Sequence, residues 1–79
     1  MLTAYIEAAM NHAKVEFLED DGIYYAEIPE LPGVWAEADN QKDLDRELRE
    51  ALEGWITLSL KRNDPLPVID GVRIAFELA

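Results

Sequence analysis

The period of the hydrophobic positions changes along the chain, and each change marks an element. Leu2, Tyr5, Ile6, Ala9 and Met10 recur at the spacing of one helix face. A short amphipathic helix over residues 2–10, ending near Asn11 and His12, is therefore expected. Residues 14–18 and 23–28 are β-prone runs joined across Glu19-Asp20-Asp21-Gly22, where glycine supplies the positive φ that a hairpin turn needs. Pro29 cannot donate to a ladder and Pro32-Gly33 is a turn signal, so Pro29-Glu30-Leu31-Pro32-Gly33 should bend the chain into a strand over residues 34–38.

Asp39-Asn40 can cap a helix, and Leu44, Leu48, Ala51, Leu52, Trp55, Ile56 and Ser59 then trace one stripe across residues 42–61. Such a helix would be roughly 30 Å long at about 1.5 Å per residue. Lys61-Arg62 suits the negative end of its dipole, and Asn63-Asp64-Pro65-Leu66-Pro67 stops it. Alternation returns over residues 72–78, with Val72, Ile74, Phe76 and Leu78 on one side, which predicts a fourth strand. The expected architecture is α+β, in the order α-β-β-β-α-β. A helix over residues 1–12 precedes a β-β-β-α-β unit over residues 13–79, and the whole of 1–79 reads as a single domain: an antiparallel meander plus one further strand, with one long helix on the sheet.

The same alternation sorts the sheet into faces. Val15, Phe17, Tyr24, Ala26, Ile28, Val34, Ala36, Ile74 and Phe76 are expected to form the core under the long helix. Ile23, Tyr25, Trp35 and Ala75 fall on the other face. One helix cannot cover both faces of a sheet. The second face should be covered by the first helix, by a second copy of the chain or by another protein. Tyr and Trp are enriched at such contacts, so Tyr25 and Trp35, with Ile23 and with Tyr5, Ile6 and Met10 of the first helix, are the candidate interface residues. Leu31, held between prolines, can pack into the core or be displayed, which sequence alone does not decide; the core is the favoured reading.

Composition narrows the function. At 79 residues, with 49% hydrophobic positions, the chain supports one small core. With no cysteine it has neither a disulfide nor a thiolate metal site, which leaves self-association as a source of added stability. A two-fold dimer is expected, with a higher oligomer as the alternative. Seventeen acids against seven bases give a formal charge of -10. That field repels phosphate backbones, so no direct binding to nucleic acid is expected, and it attracts a basic protein partner. The start Met1-Leu2-Thr3-Ala4-Tyr5-Ile6-Glu7 lacks the basic opening and apolar core of a signal peptide, and no apolar run reaches membrane-spanning length. The reading is a cytoplasmic protein without membrane contact.

Candidate chemistry is sparse. Asp20, Asp21, Glu16, Glu27, Glu37 and Asp39 invite a two-metal nuclease reading, but a hairpin tip and solvent-facing strand positions explain them as well, and no converging set can be assigned. His12 is the lone histidine and sits at a predicted helix end, where exposure or the helix dipole accounts for it. Ser59 has no second histidine to activate it. No catalytic residue, cofactor site or metal site is assigned.

The run Asp21-Gly22-Ile23-Tyr24-Tyr25-Ala26-Glu27-Ile28-Pro29-Glu30-Leu31-Pro32-Gly33-Val34 resembles the signature of HicB-type antitoxins: Asp-Gly, two aromatics, Ala, an acid, then Pro-Glu-Leu-Pro-Gly. The resemblance spans about residues 14–67. It implies a β-β-β-α-β unit similar to a truncated ribonuclease H fold, the same order that periodicity predicts from Lys14 onward. It also implies a non-catalytic module of a prokaryotic toxin–antitoxin system, masking a small basic mRNA interferase of the HicA type. Family members commonly carry a DNA-binding segment after this unit; none is found up to Ala79, so DNA binding is not carried over. Two alternatives stand beside this reading: an orphan homo-oligomeric domain with another role, and a divergent magnesium-dependent nuclease of ribonuclease H type.

Overall fold

Local signals set the elements. The structure, a computed structural model, describes residues 2–72. Its elements are α1 (Leu2–Asn11), β1 (Lys14–Leu18), β2 (Ile23–Glu27), β3 (Trp35–Ala38) and α2 (Gln41–Arg62). The hairpin tip closes where Asp21 and Gly22 both donate from their amides to the Leu18 carbonyl, with Gly22 at φ 66°. An L side chain there would meet its own backbone, so glycine is the residue that fits. The Pro29–Gly33 bend is held by amides of Leu31 and Val34 donating to the carbonyls of Ile28 and Leu31, with Gly33 at φ 98°. Leu31 is fully buried, the favoured of its two readings.

α2 starts at Asn40, whose side chain accepts from the Asp43 amide at 2.8 Å and satisfies a donor that the first turn leaves free. It ends at Asn63, which takes the left-handed conformation at φ 58° while the Asp64 amide donates to the Ser59 carbonyl. Both ends lie within two residues of the boundaries that periodicity predicts. The sheet is the expected meander, β1-β2-β3, antiparallel throughout. Val15, Ala26 and Ala36 form one cross-strand row and Glu16, Tyr25 and Glu37 the next, on the opposite face. The fold is thus a small α+β domain of α-β-β-β-α order. The fourth strand expected over residues 72–78 falls, apart from Val72, outside the described residues.

The core lies between α2 and the sheet and extends under α1. Leu44, Leu48, Leu52 and Ile56 of α2 meet Ala26, Ile28, Leu31, Val34 and Ala36, while Tyr5, Ile6, Ala8 and Ala9 of α1 close one end. Tyr5 has no exposed surface, and its hydroxyl donates to the Pro67 carbonyl at 2.7 Å, tying α1 to the chain that leaves α2. Ile69 joins this core from a turn that periodicity does not single out.

One expectation about the faces is corrected. Val15 and Phe17 share the helix-facing side of the sheet with Ala26 and Tyr24, yet they are 55% and 48% exposed. The reason is the path of α2, which crosses β3 and β2 and stops short of β1. Phe17 packs only sideways, its ring 4.9 Å from that of Tyr24. Of the three covers left open for the outer face of the sheet, α1 is not the one, since it lies against α2. Among the described residues no helix lies over that face.

Candidate protein-interaction face

The strand alternation that buries Ala26 and Ala36 sends Ile23, Tyr25 and Glu27 of β2 to the outer face, with Lys14, Glu16 and Leu18 of β1 and Trp35 and Glu37 of β3. Tyr25 stands at the centre. Glu16 and Glu37 flank it as cross-strand neighbours, and its hydroxyl donates to Oε1 of Glu27, two residues along its own strand, at 2.9 Å. Trp35 stacks diagonally on Tyr25, with ring centroids 6.1 Å apart and planes 24° from parallel. Trp35 is half exposed. The result is a flat aromatic centre framed by carboxylates, with Lys14 opposite Glu27 as the cation of the patch. Among the described residues neither Glu16 nor Glu37 forms an ion pair.

This setting has a measurable signature in Tyr25 itself. Its hydroxyl ionises above the ordinary value of 10.0, first because the proton is shared with Glu27, then through burial, then through the negative fields of Glu27, Glu37 and Glu16. Replacing Glu27 by Ala removes the first cause and part of the third. The midpoint of the Tyr25 ring carbons in an alkaline NMR titration should then move down toward 10.0. An unchanged midpoint would show that Glu27 does not hold the hydroxyl.

The sequence-derived interface set is only partly brought together. Ile23, Tyr25 and Trp35 share the outer face, with Ile23 and Tyr25 half-buried. Tyr5 and Ile6 lie in the core, where a partner does not reach them. Met10 lies elsewhere again, lining a groove of about 290 Å³ between β1 and α2 with Ala13, Val15, Leu44 and Leu48. That groove, which Gln41 and Asp45 also line, and the exposed Val15 and Phe17 make a second surface, on the helix-facing side. The carboxylates behind the nuclease alternative are dispersed: Asp20 and Asp21 at the hairpin tip, Asp39 before α2, and Glu16, Glu27 and Glu37 on the outer face. Among the described residues no group of three or more histidines and acids is arranged to hold a metal ion.

The outer face springs from the Pro29–Gly33 bend, and that stretch lies within the match to a protein-family model. The model for UPF0150-like proteins matches residues 4–67. The chain belongs to the UPF0150-like family. Among solved structures, the crystal structure of TTHA0281 from Thermus thermophilus is similar, at 42% identity and a TM-score of 0.89, over 96% of this chain and 94% of that one. No curated protein matches. No helix among the described residues of this UPF0150-like chain is long and apolar enough to cross a membrane.

His12 is the residue whose role periodicity misses. Its Nδ1 faces Oε2 of Glu30 at 2.6 Å and its Nε2 faces Oδ1 of Asp70 at 2.8 Å. Partners 18 and 58 residues away leave no local pattern to read. One signal was available: Asp70-Gly71 is a dipeptide of two-residue turns, and it places Asp70 at a tip.

Proposed function

We propose that this UPF0150-like chain is a non-catalytic, antitoxin-like binding module of HicB type, and that it masks a small basic mRNA interferase of HicA type by covering its working surface. The observation that carries the reading is the outer face, where exposed Trp35 stacks on half-buried Tyr25 among Glu16, Glu27 and Glu37. Aromatic groups supply contact area at low entropic cost. Carboxylates without ion-pair partners supply steering toward a positive surface. The Pro-Glu-Leu-Pro-Gly resemblance and family membership point the same way. Occlusion needs no turnover, which suits a face with no assigned nucleophile or metal site.

A second copy of the chain is a poor occupant for this same face. Two-fold pairing would set the three carboxylates of one protomer against the three of its mate, and like charges in a desolvated contact cost several kcal/mol. Self-association, the second reading, is favoured instead by Val15 and Phe17, exposed on the helix-facing side. Both readings make the chain cytoplasmic.

One experiment addresses both. The chain would be studied alone and mixed with a basic HicA-type protein encoded beside it, by light scattering for mass and by stopped-flow for association. Complex formation is expected, with an association rate that falls by about one to two orders of magnitude as salt screens the opposed fields. Co-expression should also relieve growth inhibition by the toxin. Failure to bind any such protein, with a stable dimer in the chain alone, would replace the antitoxin reading by the homo-oligomeric one. Magnesium-dependent cleavage of RNA by the chain would overturn both.

A further inference from the structure

The His12 ring joins three segments that are distant in sequence. His12 follows α1, fixed there by its amide donating to the Ala9 carbonyl at 3.0 Å and by the Ala13 amide donating to Met10. Glu30 comes from the Pro29–Gly33 bend, which buried Leu31 anchors in the core. Asp70 comes from a two-residue turn in which Ile69 and Val72 exchange both backbone hydrogen bonds, at 3.1 and 2.8 Å. Asp70 and Gly71 both have positive φ, 53° and 76°, the geometry of a type I′ turn. Without a positive charge on the ring the contacts do not balance. A neutral imidazole carries one N–H, and an ionised carboxylate only accepts. Two ring nitrogens facing two carboxylates therefore need the imidazolium, because in the neutral ring one nitrogen would present a lone pair to an oxygen anion.

We propose that His12 is a proton-operated clasp: as imidazolium it fastens the Pro29–Gly33 bend and the Ile69–Val72 turn to the end of α1, and on losing its proton it releases Asp70. The Glu30 arm is the one that persists. Both segments are anchored by a buried residue, Leu31 and Ile69, but the bend runs on into β3 whereas the Ile69–Val72 turn pairs, among the described residues, with none of the named strands, so Asp70 is the arm that gives way. Release of Asp70 loosens the Ile69–Val72 turn, and with it the anchorage of position 72, while the sheet and α2 stay folded. This device is independent of whatever occupies the outer sheet face.

The sign of the pH dependence follows from the groups that face the ring. These are Glu30 from the bend and Asp70 from the C-terminal turn; among the described residues no other charged group forms an ion pair with it. The hydrogen bond to Glu30 is the larger cause raising the His12 pKa above its ordinary 6.5, the bond to Asp70 the next, and partial burial opposes both. The clasp is therefore fully engaged below 6.5 and is lost as pH rises through the higher folded value. Glu30 is shifted down from 4.5, chiefly by its bond to His12, so its part is complete above 4.5 and is lost as pH falls through the lower folded value. The turn is held best between those two ordinary values. Release of Asp70 leaves the Glu30 bond in place, so the ring's pKa in the opened state also stays above 6.5; between that value and the higher pKa of the closed clasp, opening releases one proton and the opening equilibrium rises by up to about tenfold per pH unit.

The test is NMR on the full chain, following the His12 ring and the protection of the Ile69 and Val72 amides relative to their intrinsic exchange at each pH. His12 should titrate above 6.5, and Val72 protection should fall by up to about tenfold per pH unit over that window while amides around Leu52 keep theirs. His12→Gln should abolish the pH dependence. Asp70→Asn, which alters an exposed position only, should lower the His12 midpoint and shrink the slope at Val72. A His12 midpoint at or below 6.5, or the same Val72 slope in either variant as in the wild type, would overturn the proposal.

Discussion

Replacing Leu52 by Ala should cost about 2–5 kcal/mol of folding stability, the range for truncating a buried leucine to a methyl group. Leu52 has no exposed surface and sits midway along α2, between Leu48 and Ile56 on the stripe that covers the sheet. Nothing can flow in to fill the space, because β2 and β3 below it are fixed by their ladder and α1 closes the end. Natural domains are stable by about 0.05–0.15 kcal/mol per residue, so a chain of 79 residues holds only some 4–12 kcal/mol in total. The variant should be partly unfolded at moderate temperature. Leu58, on the same helix but 47% exposed, provides the contrast: Leu58→Ala should stay within about 0.5 kcal/mol of the wild type. Urea unfolding followed by far-ultraviolet dichroism measures both. Equal shifts in the two midpoints would mean that the core is not where α2 meets the sheet.

If the chain is the antitoxin-like module proposed above, loss of partner binding without loss of fold is the expected result of Trp35→Ala. An aromatic side chain at the centre of a contact is worth at least about 2 kcal/mol when truncated, which is roughly 30-fold in Kd. Trp35 is half exposed in the free chain, so its removal leaves the core intact. Tyr25→Ala should have a similar effect, since the two rings stack and each positions the other. Phe17→Ala serves as the control for the opposite surface, because Phe17 is also about half exposed but faces the helix side of β1. Calorimetric titration of a basic HicA-type partner into each variant separates the surfaces. Wild-type affinity in Trp35→Ala and Tyr25→Ala, together with weakened binding in Phe17→Ala, would move the binding site to the groove beside Met10 and Val15.

The two surfaces differ in how far the sequence reveals them. Tyr25 and Trp35 are placed on the outer face by alternation alone, because a strand sends successive side chains to opposite sides whatever else surrounds it. Their framing by Glu16 and Glu37 depends on register. Register in turn follows from the Asp21-Gly22 hairpin and from the Pro29–Gly33 bend, both visible as turn residues. Val15 and Phe17 show the opposite case. Alternation puts them on the helix-facing side, which is where they are, and burial was expected to follow. It does not, because facing the helix side of a sheet and lying under the helix are separate conditions.

By itself the sequence determined what acts over a few residues. The meander, the limits of α2 at Asn40 and Asn63 and the outward placement of Tyr25 and Trp35 all follow from caps, turn geometry and side-chain period. The tertiary structure alone decided which strands α2 crosses, where α1 sits and what His12 touches. α1 offers an apolar face that would suit either the outer sheet or α2, and its amphipathic pattern is the same in both arrangements. The choice rests on Tyr5, whose hydroxyl finds the Pro67 carbonyl only on the α2 side. His12 meets Glu30 and Asp70 because two turns, one held by Leu31 and the other by Ile69, close over the same end of the core. Such meetings depend on the packing of the whole chain, and no periodicity encodes them.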